Sequence, residues 1–139
     1  MRRAVERARL HAPSLVFAVE AAPTVVAGSP GQLERAVGNL LDNAAKWSPP
    51  GGTVEVVVRG GEVTVRDHGP GIDAADLPHI FDRFYRAPAA RRTPGSGLGL
   101  AIARQAAEAH GGTVTASAAP GGGALLALRL PVVPTRPAT

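Results

Sequence analysis

The stretch TVEVVVRGGEVTVRDHGPG, residues 53–71, contains two alternating apolar runs, TVEVVV (53–58) and EVTVRD (62–67), separated by Arg59-Gly60-Gly61. Period-two alternation sends successive side chains to opposite faces, and a glycine-containing break of this length closes a β-hairpin. The hairpin ends on Asp67-His68-Gly69-Pro70-Gly71. A type I or II turn accounts for Gly and Pro there without any function, and His68 reads as a solvent-facing turn residue rather than a base. A carboxylate at a strand end, followed by a glycine turn, is equally suited to accept a hydrogen bond from an exocyclic amine.

On the N-terminal side, LVFAVE (15–20) and TVVAG (24–28) alternate and are joined through Pro23, the pattern of a second hairpin. Ser29-Pro30 opens a helix with a capping residue and a first-turn proline, and Leu33, Val37, Leu40, Leu41 and Ala44 recur at helical spacing before Pro49-Pro50 stops it. Asn39, Asn43 and Lys46, at i, i+4 and i+7, form a polar stripe roughly opposite. A solvated face explains such a stripe. Two Asn are mediocre helix formers, however, and amide oxygens suit Mg²⁺, which takes one or two protein oxygens together with phosphates.

On the C-terminal side, a short helix is expected around Ala74–Ile80, then FDRFYR (81–86), with three of the chain's five aromatics. The segment from Arg86 to Ser96 has no periodicity and reads as a mobile loop. PGSGLGLAIARQ (94–105) places Gly95, Gly97 and Gly99 ahead of a helix from Gly97 to about His110, which ends at Gly111-Gly112, and TVTASA and ALLALRL make a last strand pair. Glycine is unfavourable inside a helix, so the cluster is either a surface turn or an array of bare N–H groups offered to an anion. No Gly-Lys-Ser/Thr occurs, and no acid follows Glu108, which removes the P-loop and the dinucleotide fingerprint. Hairpins mixed with helices in this order predict an α/β sandwich: a mixed, largely antiparallel sheet of about five strands covered on one face by three helices.

The 139 residues, 45% apolar, suffice for one core. There are no cysteines, hence no disulfides or thiolate metal sites, and His11, His68, His79 and His110 lack metal spacing. No apolar run is long enough for a membrane span, and no signal peptide is legible. Net charge is +4 and the isoelectric point is near 11.0. The basic residues are scattered and only 4% of residues are aromatic, so nucleic acid is not expected as a partner. Lys46 is the only lysine. Residues 1–12 read as the end of a connecting helix, 13–131 as the domain and 132–139 as a disordered tail.

NLLDNAAKWSP, DHGPGI, FDRFYR and GSGLGLAIAR, in this order and separation, resemble the N, G1, F and G2 boxes of the catalytic ATP-binding domain of bacterial sensor histidine kinases, over residues 15–131. The resemblance implies the Bergerat fold with a lid between the F and G2 boxes, and ATP and Mg²⁺ as cofactors. By position, Asn43 would ligate Mg²⁺, with Asn39 and Lys46 near the phosphates. Trp47 would flank the adenine, and Asp67 would read its amine. Gly69 and Gly71 would let the ring approach, Gly95, Gly97 and Gly99 would cradle the phosphates, and Ile72, Phe84, Leu98 and Leu100 would complete the nucleotide contacts. Asn39, Lys46 and Arg86, with Arg91 or Arg92 behind it, would serve phosphoryl transfer.

The chain departs from the family pattern in three places, the first being Trp47, where Tyr, Phe or His is usual. His68 stands where Asn is frequent, and Gly123-Ala124 stands where Gly-Thr is common, so one polar contact to adenine would be lost. The ATPases and serine kinases of related fold usually carry Glu where this chain has Asn39. An amide cannot take a proton from water or serine, whereas a neutral imidazole already has a free lone pair, so transfer to histidine is the favoured chemistry. The alternatives are a non-catalytic ATP-binding switch and a related ATPase or anti-sigma serine kinase. The resemblance further implies a cytoplasmic location, a dimerisation and phosphoacceptor helical hairpin as partner, and a response regulator indirectly. No histidine of the chain is followed by Asp or Glu, so the acceptor is expected elsewhere and the fragment is expected to be a monomer.

Overall fold

The structure is a computed structural model, and it describes residues 2–21, 30–49, 51–69, 71, 77, 80–81, 99–119 and 121–131. Eight elements follow one another: α1 (Arg2–His11), β1 (Val16–Ala21), α2 (Pro30–Trp47), β2 (Thr53–Arg59), β3 (Glu62–Arg66), α3 (Gly99–Ala109), β4 (Thr113–Ala118) and β5 (Ala124–Arg129). The strands form one sheet in the order β1-β2-β3-β5-β4. The β2–β3 hairpin is antiparallel, with Val56 opposite Val65 and Arg59 opposite Glu62. β5 adds antiparallel to β3, and β4 to β5.

β1 has a neighbour that the sequence did not indicate. Its described partner is β2, and the pairing is parallel, with Phe17 opposite Val54. Residues 24–28, expected as its hairpin partner, lie outside the described residues. Alternation identifies a strand but carries no information about its neighbour, and a parallel pair needs a long crossover, which α2 supplies.

The inner face of the sheet is a continuous apolar surface. Val54, Val56, Val65, Leu126 and Leu128 are fully buried beneath Leu40 and Leu41 of α2, with Ala36, Ala44, Ala103 and Ala107 letting the helices close on it. Burying each Val or Leu contributes about 1.5–3 kcal/mol. α1 joins the same core through Ala4, Val5 and Ala8, and Arg9 donates from Nη2 to the Phe17 carbonyl at 3.0 Å. Glu6, Arg7, Arg9 and His11 of the same helix are exposed.

Two helix ends fix where the site can lie. α2 finishes at Trp47, and Ser48 returns both its N–H (3.1 Å) and its hydroxyl (2.8 Å) to the Ala44 carbonyl. α3 ends in a Schellman motif: Gly112 N–H donates to Ala107 at 2.8 Å and Gly111 N–H to Glu108 at 3.0 Å. The glycines that read as a stop signal in the sequence do stop the helix.

Candidate nucleotide site

Asp67 directly follows β3 and continues its ladder, donating its N–H to the Ala124 carbonyl at 3.1 Å. At 2% exposure it is the one buried charged side chain among the described residues. A carboxylate in that position must be hydrogen-bonded. Oδ1 accepts from Gly69 N–H at 2.9 Å and from Ala124 N–H at 3.2 Å, so the turn and β5 hold it from two sides.

Three segments meet around this carboxylate, and missing Cβ atoms allow them to. A side chain at Gly69 would run into the Trp47 carbonyl, and one at Gly123, whose φ is +83°, would run into the carbonyl of Asp67. Gly69 thus serves chiefly to bring the end of α2 onto the Asp67 turn, a packing role the sequence did not disclose. Gly71 approaches the Gly123 carbonyl, with a Cβ there 3.5 Å away. The contribution of Gly123-Ala124 was also missed. Ala124 has no hydroxyl, as expected, but its N–H orients the carboxylate; the signal was the run of three glycines leading into β5.

The polar stripe of α2 lies beside this turn. Asn39 and Asn43 are half-buried and Lys46 is exposed, its Nζ 5.9 Å from the centroid of the Trp47 ring, within cation–π range. Nδ2 of Asn39 is buried without a hydrogen-bond partner among the described residues. A donor in that state costs about 1–3 kcal/mol until an acceptor arrives. Gly99, the first residue of α3, faces Asn39, since a Cβ on it would lie 3.9 Å from Asn39 Cβ and Cγ. Leu100 is half-buried against the core.

The structure therefore brings together Asn39, Asn43, Lys46, Trp47, Asp67, Gly69, Gly71 and Gly99, while Leu100 packs against the core. Ile72, Phe84, Arg86, Gly95, Gly97 and Leu98, with Arg91 and Arg92, lie outside the described residues. Ile80 and Phe81 pack partly buried against the core. No group of three His, Asp or Glu side chains suited to a metal occurs among the described residues. The donors here are amides, which fit a Mg²⁺ that brings phosphate oxygens and water as its other ligands.

The profile of the family described as "Histidine kinase-, DNA gyrase B-, and HSP90-like ATPase" matches residues 28–134. The signal transduction histidine-protein kinase/phosphatase MprB of Mycobacterium avium (strain 104) is 49% identical over 115 residues, 79% of this chain and 22% of that protein. The chain thus spans about a fifth of the length of the curated relatives it matches. Among solved structures, a mycobacterial sensor histidine kinase MprB superposes with a TM-score of 0.88 at 41% identity, covering 96% of this chain and 94% of that one. The ATP binding domain of PrrB from Mycobacterium tuberculosis gives 0.75 at 31% identity, with 95% and 90% covered. The chain belongs to the histidine kinase-, DNA gyrase B- and HSP90-like ATPase family and, within it, to the ATP-binding domains of sensor histidine kinases.

Proposed function

We propose that the chain binds Mg-ATP across the face formed by α2, the Asp67 turn and the start of α3, and presents the γ-phosphate to a histidine on a separate dimerisation hairpin of the same kinase, from which a response regulator would be served. The observation that carries this reading is the placement of the buried Asp67 carboxylate against the end of the Asn39-Asn43-Lys46 helix. Two N–H groups converge on Oδ1, which leaves Oδ2 to accept from a purine amine.

The amide oxygen of Asn43 would hold the metal, which when bound neutralises charge on the phosphate oxygens. Lys46 adds a cation near them. The orphan Nδ2 of Asn39 gains an acceptor in a phosphate oxygen, so an unfavourable feature of the free domain becomes binding energy. None of these groups is a base. Phosphoryl transfer depends mainly on positioning and charge stabilisation, and an imidazole acceptor needs no proton removed before it attacks.

Incubation of the chain with γ-labelled ATP, Mg²⁺ and the phosphoacceptor hairpin of its kinase tests the reading. Acid-labile label should appear on the added hairpin and not on the chain itself, and slowly, because the two pieces lack the effective concentration of a tether. Release of free phosphate at the same rate with or without the hairpin would identify an ATPase instead.

A further inference from the structure

Strand alternation turns Asp67 toward the helices and its two neighbours, Arg66 and His68, toward the opposite face of the sheet. Both neighbours are engaged there. Arg66 donates from Nη2 to the Gly122 carbonyl at 3.3 Å, and a Cβ on Gly121 would lie 3.5 Å from the same nitrogen. His68 Nε2 lies 3.0 Å from Glu55 Oε1, and Glu55 is the residue opposite Arg66 in the β2–β3 register. The two contacts bracket Asp67 along the chain. One ties β3 to the tip of the β4–β5 turn, and the other ties the start of the Asp67 turn to β2.

The β4–β5 turn matters because the residues after Gly122 are those that touch Asp67: Gly123 against its carbonyl, and Ala124 through the N–H on Oδ1. That N–H bond, at 3.2 Å, is at the long end of the normal range and is sensitive to small shifts of the turn. Gly121, Gly122 and Gly123 all have positive φ and no side chains to anchor them. The planar guanidinium of Arg66 supplies an anchor from the outer face.

We propose that Arg66, together with the Glu55–His68 pair, is a clasp on the outer face of the sheet that fixes the angle of the Asp67 carboxylate, and so makes the site prefer a purine carrying an amine over one carrying an oxo group. These are positioning residues, on the face away from the nucleotide. The proposal rests on the reading of Asp67 as the acceptor for the base amine. An exposed contact of this kind contributes little to stability, so the clasp acts on selectivity and leaves the fold nearly as stable without it.

The test compares binding of ATP and inosine triphosphate, which has an oxo group in place of the amine, by titration calorimetry on the full chain with Mg²⁺. Wild type should prefer ATP. In Arg66→Ala the ATP affinity should fall about fivefold and the inosine triphosphate affinity by less than about twofold, so that the preference collapses. Arg66→Lys, which can still donate to Gly122, should recover most of it, and Glu55→Ala should reproduce part of the loss. Equal losses for both nucleotides, or no change in either, would overturn the clasp. A wild-type chain that binds both nucleotides equally, or neither, would overturn the assignment of Asp67 itself.

Discussion

The two ends of the candidate site are built in opposite ways. At the base end, Asp67 is buried at the end of the central strand β3, its Oδ1 held by two backbone N–H groups, with neighbouring segments seated where glycines leave no Cβ. At the phosphate end, Asn39, Asn43 and Lys46 project from one helix, half-buried or exposed, and Asn39 carries a buried donor with no partner among the described residues. On the proposed reading, shape is preformed where a flat heterocycle would be distinguished. On the same reading, charge and hydrogen bonding would be completed by the ligand where a flexible triphosphate would be held. A preorganised end supplies specificity, and an unsatisfied end supplies affinity that is realised only on binding.

That contrast can be attacked at either end. The largest effect is expected from Gly123→Ala, which forces a Cβ into the Asp67 carbonyl at a positive φ. Unfolding in urea should show a loss of about 3 kcal/mol, and the refolded protein should bind nucleotide poorly. A fully stable Gly123→Ala protein would mean that the base end is not rigidly built.

Asn39→Leu separates the ends in the other direction. Removing the orphan donor should leave the nucleotide-free domain as stable as before or raise its stability by about 1 kcal/mol, while Mg-ATP affinity falls. Thermal unfolding with and without Mg-ATP reads both at once. Loss of stability in the free domain would show that the amide has a structural partner.

The smallest effect is expected away from both ends. Arg104 and Glu108 form an i,i+4 pair at 3.5 Å on the exposed side of α3. Glu108→Ala should cost less than about 0.5 kcal/mol in the same unfolding assay and leave nucleotide affinity unchanged.

Sequence reasoning located the central hairpin, the two long helices, the last strand pair and the α2 stripe, because each is a local pattern of period 2 or 3.6 closed by proline or glycine. It gave no sign that β1 pairs with β2, since strand partners are chosen by the core and the crossover rather than by the strand itself. It did not reveal the apolar seam of α1, because Ala4, Val5 and Ala8 are small side chains that signal it only weakly in a charge-rich segment. A carboxylate at position 67 able to accept from a base amine was legible as an expectation. What holds it was not, because the holders are backbone groups of Gly69 and Ala124, and a backbone N–H looks the same at every position of a sequence.

Titration calorimetry of ATP and ADP, each with and without Mg²⁺, against the wild type, Asp67→Asn and Asn43→Ala tests the division of labour most directly. Asp67→Asn should weaken ATP and ADP by the same factor, about tenfold or more, whether or not Mg²⁺ is present. Asn43→Ala should instead remove the gain that Mg²⁺ gives to ATP while leaving metal-free binding close to that of the wild type. If both substitutions lowered all four affinities alike, or if neither changed any of them, the two ends would not be the independent base and phosphate sites described above.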